Sequence, residues 1–373
     1  MSDATSQPSP PRKRLLGLDA LRGLAVFLMI EQHLGVWLWQ GLQPGENMVR
    51  DHLGLLVFNA LGGGAAPAFV TLAGIGSSLL VASREKRGQN PDASLLRRGL
   101  VVMGFGYLLS FITPSWFTVN SWFVLHLMGF GMLLTPVLRR LPTGALLGLA
   151  LTVLALTGVV QAKLGTPISL DNPYMAGRSP RSPESWTALR IALAEGQFPI
   201  FPWFSFYIAG VACGRFVAED KLGRIGALAG GAAAVGLAGV ATSFVKPAIP
   251  GTALWRTTKL NIPFFPASPT LVALLLALVL AGIWAVMAWD RRRPLGANNV
   301  LVTLGRASLT LLLLHVWLFR EATRPIGVWQ ALEANEAMAV LIAFLILAAI
   351  ASRLWQRIDY RYGAEWVLRK LAP

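Results

Sequence analysis

The chain alternates long apolar runs with short polar connections almost from end to end. Runs of roughly 17 to 25 residues are long enough to cross a hydrocarbon core about 30 Å thick as helices. In lipid, backbone polar groups must be satisfied within the segment or in a closed barrel, and the alternating pattern of barrel strands is absent. The pattern predicts an all-α fold, a polytopic transmembrane helix bundle of about ten spans. They fall near 17–39, 54–82, 97–114, 119–138, 143–162, 199–217, 223–243, 268–289, 299–319 and 336–356. The membrane domain then occupies 15–358, between a disordered basic tail at 1–14 and a short cytoplasmic segment at 359–373. Arg12, Lys13 and Arg14 look like the start of a signal peptide, but no small-residue cleavage site follows, which predicts a retained anchor.

Composition agrees, and charge refines the topology. Of 373 residues, 54% are apolar and 14% charged, and mean hydropathy is +0.56, which excludes an ordinary soluble globule. A net charge of +15 raises nucleic acid as a partner, but the bases gather in short connections on alternate sides of the spans. They comprise Arg12 to Arg14, the loop from Arg84 to Arg98, Arg139 and Arg140, Arg215 to Arg224, Arg291 to Arg293, and the stretch from Arg353 to Lys370. This positive-inside pattern predicts both termini in the cytoplasm of a multi-pass plasma (inner) membrane protein, with the lipid bilayer and no nucleic acid as partner. Cys213 is alone, so no intramolecular disulfide forms. No HxxxH or HExxH pair occurs, and no metal site is predicted. Gly62-Gly63-Gly64 and Gly74-Ile75-Gly76 read as close helix packing or a broken helix. Trp116, Trp122 and Trp203 read as interface anchors.

Ionisable residues inside a membrane span require an explanation. The first span carries Asp19, Arg22, Glu31 and His33. At 100° per residue, Arg22 and His33 lie about 20° apart around the helix and roughly 16 Å apart along it, with Asp19 within about 60° of both. Glu31 lies about 180° from Arg22 and faces a different neighbour or the outer interface. Two readings stand side by side. In one, Asp19 merely pairs with Arg22 and His33 sits at headgroup level. In the other, a polar track crosses the bundle, with a cation at one mouth and an imidazole base near the other. The competing, less favoured reading of buried Arg, Asp and His in ten helices is a proton-coupled transporter or flippase without acyl chemistry, for which no convincing internal repeat is found.

The same span also carries a family resemblance. RLLGLDALRGLAVFLMIEQHL resembles the opening helix of the transmembrane acyltransferase superfamily. APAFVTLAGIGSSLL, LLRRGLVVMGFGYLLS and SWFVLHLMGFGML resemble the next three helices of its heparan-α-glucosaminide N-acetyltransferase-like branch. FPIFPWFSFYIAGVACGR, KLNIPFFPASPTLVALLLALV and LGRASLTLLLLHVWLF resemble later segments, and YRYGAEWVLRKL resembles the C-terminal segment of the YeiB-like bacterial proteins. Each motif is weak alone; their order over about nine-tenths of the chain carries the resemblance.

The resemblance implies a membrane enzyme that moves an acetyl or other acyl group from acyl-CoA, as donor substrate, to a hydroxyl or amine of an extracytoplasmic or lipid-linked acceptor such as a carbohydrate. A histidine base is implied, at His33 or His52, with Asp19 orienting. Arg22 and Arg306, with Arg97 and Arg98, are implied to hold the donor's phosphates. The paired arginines Arg97 and Arg98 equally satisfy the topology rule. Asn120, Ser121 and Trp122 are candidate oxyanion donors. No long N-terminal luminal domain like that of the human-type enzyme is expected ahead of the first span, which leaves the acceptor open, and homodimer assembly is open as well.

Overall fold

The computed structural model describes residues 15–170, 184–245, 248–260 and 264–373; the tail at 1–14 lies outside them. Each of the ten predicted spans falls on helical structure. Among the described residues, eight helices are long and apolar enough to cross a membrane: α1 (Leu16–Leu38), α4 (Ala65–Glu85), α5 (Asp92–Ile112), α7 (Thr143–Lys163), α9 (Ile200–Ala218), α10 (Gly223–Val245), α12 (Pro269–Arg292) and α15 (Ala334–Trp355). Short helices α2 (Met48–Asp51), α3 (Leu53–Gly62), α8 (Glu184–Arg190) and α11 (Ala253–Thr258) lie in the connections.

Two of the ten predicted spans are broken, and a third is short. The second divides into α3 and α4, parted at Gly63 and Gly64, where two residues without a side chain weaken helix propensity. The ninth divides into α13 (Val300–Arg306) and α14 (Ser308–Val316), bent by 74° and continued by a π-helical turn over Trp317–Ala322. The fourth is α6 (Val124–Leu138), whose 15 residues begin later than expected because the preceding turn, rich in Thr, Ser and aromatic residues, stays irregular.

Local chemistry sets several helix starts. Ser268 caps α12, its hydroxyl accepting from the Leu271 N–H at 3.2 Å, with Pro269 as the first helical residue. Asn299 caps α13 in the same way through the Leu301 N–H at 2.9 Å.

Close helix crossings depend on glycine. A Cβ placed on Gly23 of α1 would fall 1.8 Å from the Leu301 carbonyl oxygen of α13, and one on Gly305 of α13 would fall 1.8 Å from the Asp19 oxygen of α1. Gly74 of α4 and Gly210 of α9 form a second reciprocal pair, where a Cβ on either would fall 2.2 Å from a backbone oxygen of the partner helix. In lipid, where no hydrophobic force joins helices, such backbone approach supplies the dispersion contact that holds them.

The core is double. One apolar cluster gathers around α9, with Trp203, Phe206, Tyr207 and Ile208 fully buried; the other surrounds α1, with Val26, Ile30 and Leu34. Trp203 is therefore a core residue and not an interface anchor: the turn that starts α9 lies inside the bundle. α10 and α15 sit at the rim, where Leu237, Ile346 and Leu347 are exposed, as lipid-facing side chains should be. The segment at 359–373 folds back as α16 (Ala364–Leu371), and the Pro373 carbonyl accepts from Arg84 and Ser94 at 2.7 and 2.8 Å.

Candidate functional site

Two polar cavities occupy opposite ends of α1. At its N-terminal end a cavity of about 380 Å³ is lined by Asp19, Arg22, Arg98, Arg306, Glu365 and Arg369, with Ser77 and apolar residues deeper in. Arg22 donates to Asp19 at 3.0 Å, and the Arg306 Nε lies 3.9 Å from the other Asp19 oxygen. Asp19 is buried, so it holds two guanidinium groups from α1 and α13 together; the Gly23/Gly305 contact brings those helices close enough to do so. Arg98 Nε has no hydrogen-bond partner among the described residues. Glu365 is committed elsewhere: its carboxylate accepts from the Leu309 and Thr310 N–H groups at 2.5 and 3.2 Å and from the Thr310 hydroxyl at 2.6 Å, capping the start of α14. Four guanidinium groups then face two occupied carboxylates, an arrangement suited to a multiply charged phosphate ligand. Arg97 is not part of it. It is exposed and outside the cavity, one helical step from Arg98 and turned away.

At the C-terminal end of α1 a cavity of about 350 Å³ holds His33, with Trp37, Trp116, Gln197, Arg320 and Trp329 among its walls. The Nδ1 of His33 lies 2.9 Å from the Nε2 of His315 on α14, the rings stacked at 11°. The Trp37 indole also stacks on His33, at 4.5 Å, and Trp116 meets it edge-on at 5.9 Å. His315 Nδ1 lies 2.8 Å from the Leu311 carbonyl oxygen. A carbonyl can only accept, so His315 carries its proton on Nδ1 and its Nε2 is bare. That bare nitrogen accepts from His33 Nδ1–H, which leaves the Nε2 lone pair of neutral His33 without a proton. Hydrogen-bond direction alone thus makes His33 a base with a defined face.

His52 stands apart from this site. It lies between α2 and α3, 3.1 Å from Glu46 and edge-on to Trp39 at 5.2 Å, and does not line the His33 cavity. The Gln43 backbone N–H and then the His52 side chain hold the Glu46 carboxyl below its usual range. Asn120, Ser121 and Trp122 do not line the His33 cavity either; the Trp122 indole N–H donates to the Phe198 carbonyl at 3.1 Å, a structural task. Trp116, expected as an interface anchor, is a wall of the cavity. Glu31 does face a different neighbour, lining a third space with Trp39 and Gln40, but it is buried and not at an interface, and its oxygens have no hydrogen-bond partner among the described residues.

Sequence reasoning missed His315, Arg320 and Trp329 as site residues. A histidine in the apolar run LLLLHVWLF was visible, yet nothing local pairs it with a residue 282 positions earlier. Between the two cavities, along α1, lie Val26, Met29 and Ile30, packed in the same apolar cluster as Phe69, Val102, Phe105 and Leu125.

The described residues thus form a helical membrane bundle with an arginine-lined cavity and a histidine-bearing cavity at opposite ends of a single helix. The chain belongs to the family of the heparan-alpha-glucosaminide N-acetyltransferase catalytic domain, whose model matches residues 14–245, a family of membrane acetyltransferases. A second model, of a family of unknown function (DUF418), matches residues 212–373. No curated protein matches the chain.

Proposed function

We propose that this protein transfers an acetyl or other acyl group from acyl-CoA to a hydroxyl or amine of an extracytoplasmic or lipid-linked acceptor, a carbohydrate above all. The observation that carries this reading is the placement of a guanidinium cavity and an imidazole base at opposite ends of the same helix, within the matched family segment. Arg22, Arg98 and Arg306 bind the donor's phosphates at the end of α1 that the positive-inside pattern assigns to the cytoplasm of an inner membrane. The acyl-bearing arm then passes the apolar layer at Met29 and Phe69 to reach His33.

There, His33 Nε2 takes the proton from the acceptor as its oxygen or nitrogen forms a bond to the thioester carbonyl carbon. The tetrahedral intermediate collapses by breaking the C–S bond. The leaving thiolate recovers the proton from His33, giving free coenzyme A and the acylated acceptor. His315 is a positioning residue: it holds the proton-bearing Nδ1 of His33 and so fixes which nitrogen meets the acceptor. Gln32 and Gln197 line the same cavity with side-chain amides that can donate to the developing oxyanion.

The test is acetyl-CoA binding and thioester cleavage by the detergent-purified protein. Saturable binding weakened by Arg22→Ala, with cleavage lost in His33→Ala and retained in His52→Ala, supports the assignment. Absence of donor binding by folded protein, across short acyl chains, moves the reading to a transporter.

A further inference from the structure

One wall of the His33 cavity carries an indole and two cations. The guanidinium carbons of Arg320 and Arg324 lie 4.2 and 4.1 Å from the Trp329 ring centroid, and Arg320 also lies 5.3 Å from the Trp116 ring. Neither arginine has a carboxylate within ion-pair distance among the described residues. Arg320 donates only a long contact of 3.4 Å to the Ser115 carbonyl, and its Nε is buried with no partner. Arg324 donates from Nε to the Arg320 carbonyl at 3.1 Å. The neighbouring Glu321 accepts from the Ser115 N–H at 3.0 Å and supplies one negative charge beside Arg320, but no Asp or Glu lines the cavity. Two like charges held against one ring, with the single carboxylate of Glu321 beside them and outside the cavity, leave an excess of positive charge that an anionic ligand would balance. Cation–π contact anchors the guanidinium planes while leaving their N–H edges free.

We infer that the His33 cavity takes an anionic sugar, a ring bearing a phosphate or carboxylate, whose oxyanion binds the Arg320 and Arg324 guanidinium groups while its ring packs against the Trp37, Trp116 and Trp329 indoles. The inference rests on the acyltransferase reading for its meaning, as the class of acceptor, but not for its test. The i, i+4 spacing of Arg320 and Arg324 puts both forks on one side of the helical turn that follows His315, so an anion held there places a neighbouring hydroxyl or amine towards His33. Charge complementarity of this kind discriminates against neutral and cationic rings, for which the arginines would stay unpaired.

The experiment is equilibrium binding, followed by tryptophan fluorescence of the full chain in nanodiscs without donor, of glucose 1-phosphate, glucuronate, glucose and inorganic phosphate. Expected is binding of at least one anionic sugar tenfold or more tighter than glucose and tighter than phosphate alone, weakened at least tenfold in R320Q and R324Q and largely kept in R320K. Acetyl-CoA binding by the same variants reports that they are folded. Equal binding of glucose and both anionic sugars by the unaltered chain overturns the inference without any variant, as does phosphate binding as well as the sugars do. Nanodiscs of phosphatidylcholine and of phosphatidylglycerol separate the remaining source of oxyanion; loss of sugar binding in the latter assigns the arginines to lipid headgroups and overturns it too. Anionic sugars that bind but are never acylated sink the acyltransferase reading and leave the inference standing, whereas acylation of neutral sugars with both arginines dispensable does the reverse.

Discussion

The Nδ1 of His33 and the Nε2 of His315 meet at 2.9 Å across the α1–α14 contact, and the Leu311 carbonyl behind His315 fixes the direction of the proton between them. In the proposed reaction the second imidazole would do the orienting task that a carboxylate does in a hydrolase triad. A neutral partner suits a membrane interior, because a buried carboxylate there would be expensive.

His315→Ala is therefore expected to lower kcat by about 10²-fold, the scale of a misoriented general base, with KM for acetyl-CoA unchanged. His315→Gln, whose side-chain oxygen can accept from His33 Nδ1–H, restores part of the rate. Steady-state kinetics of the three proteins check this; a rise in KM with kcat intact would place His315 in donor binding instead.

Arg22 and Arg98 face the N-terminal cavity and Arg97 does not. Removing either of the first two is expected to weaken acetyl-CoA binding about tenfold or more, corresponding to roughly 1.5–3 kcal/mol for a hydrogen bond to a charged group, while Arg97→Ala leaves it unchanged. Isothermal titration in detergent measures all three, and an equal loss in Arg97→Ala would show the effect to be long-range charge.

Much of this was legible in the sequence, for a physical reason. Length and apolarity determine a membrane helix almost alone, so α7, α10 and α12 fall where the runs predicted. The stripe of Asp19, Arg22 and His33 was legible because helical periodicity is local. What local periodicity does not encode is contact between distant helices. His315 and Arg320 enter the site only because α13 bends into α14 and crosses α1, and the choice between His33 and His52 depends on a cavity formed by several elements. Trp203 misled because an aromatic residue at a span end has the same local pattern whether it meets headgroups or a neighbouring helix.

Glu365 lines the basic cavity and also ties the C-terminal segment to the helix that carries His315, whose cavity that segment does not line. Its carboxylate satisfies two N–H groups at the first turn of α14, six residues before His315. Glu365→Ala is expected to destabilise the bundle by about 1–2 kcal/mol, as cap removal does, and Glu365→Gln by less, since one carboxamide oxygen still accepts. Thermal unfolding in detergent ranks the three, and no difference between Ala and the unaltered chain would sink the capping role.

The α1–α13 crossing gives the sharpest structural prediction, because it can be tested with a methyl group. A Cβ on Gly23 would stand 1.8 Å from the Leu301 carbonyl oxygen, whereas one on Gly104 of α5 meets nothing within 4 Å. Both positions lie within helices, where alanine is intrinsically favoured over glycine by about 1 kcal/mol. Gly104→Ala should be neutral or stabilising. Gly23→Ala should cost about 1–3 kcal/mol or more from overpacking, and it should weaken acetyl-CoA binding as well, since pushing α1 from α13 parts Asp19 from Arg306. Melting temperature and donor affinity of the two variants decide the matter: if Gly23→Ala melts and binds like Gly104→Ala, the helices do not cross on their backbones and the shared carboxylate does not organise the cavity.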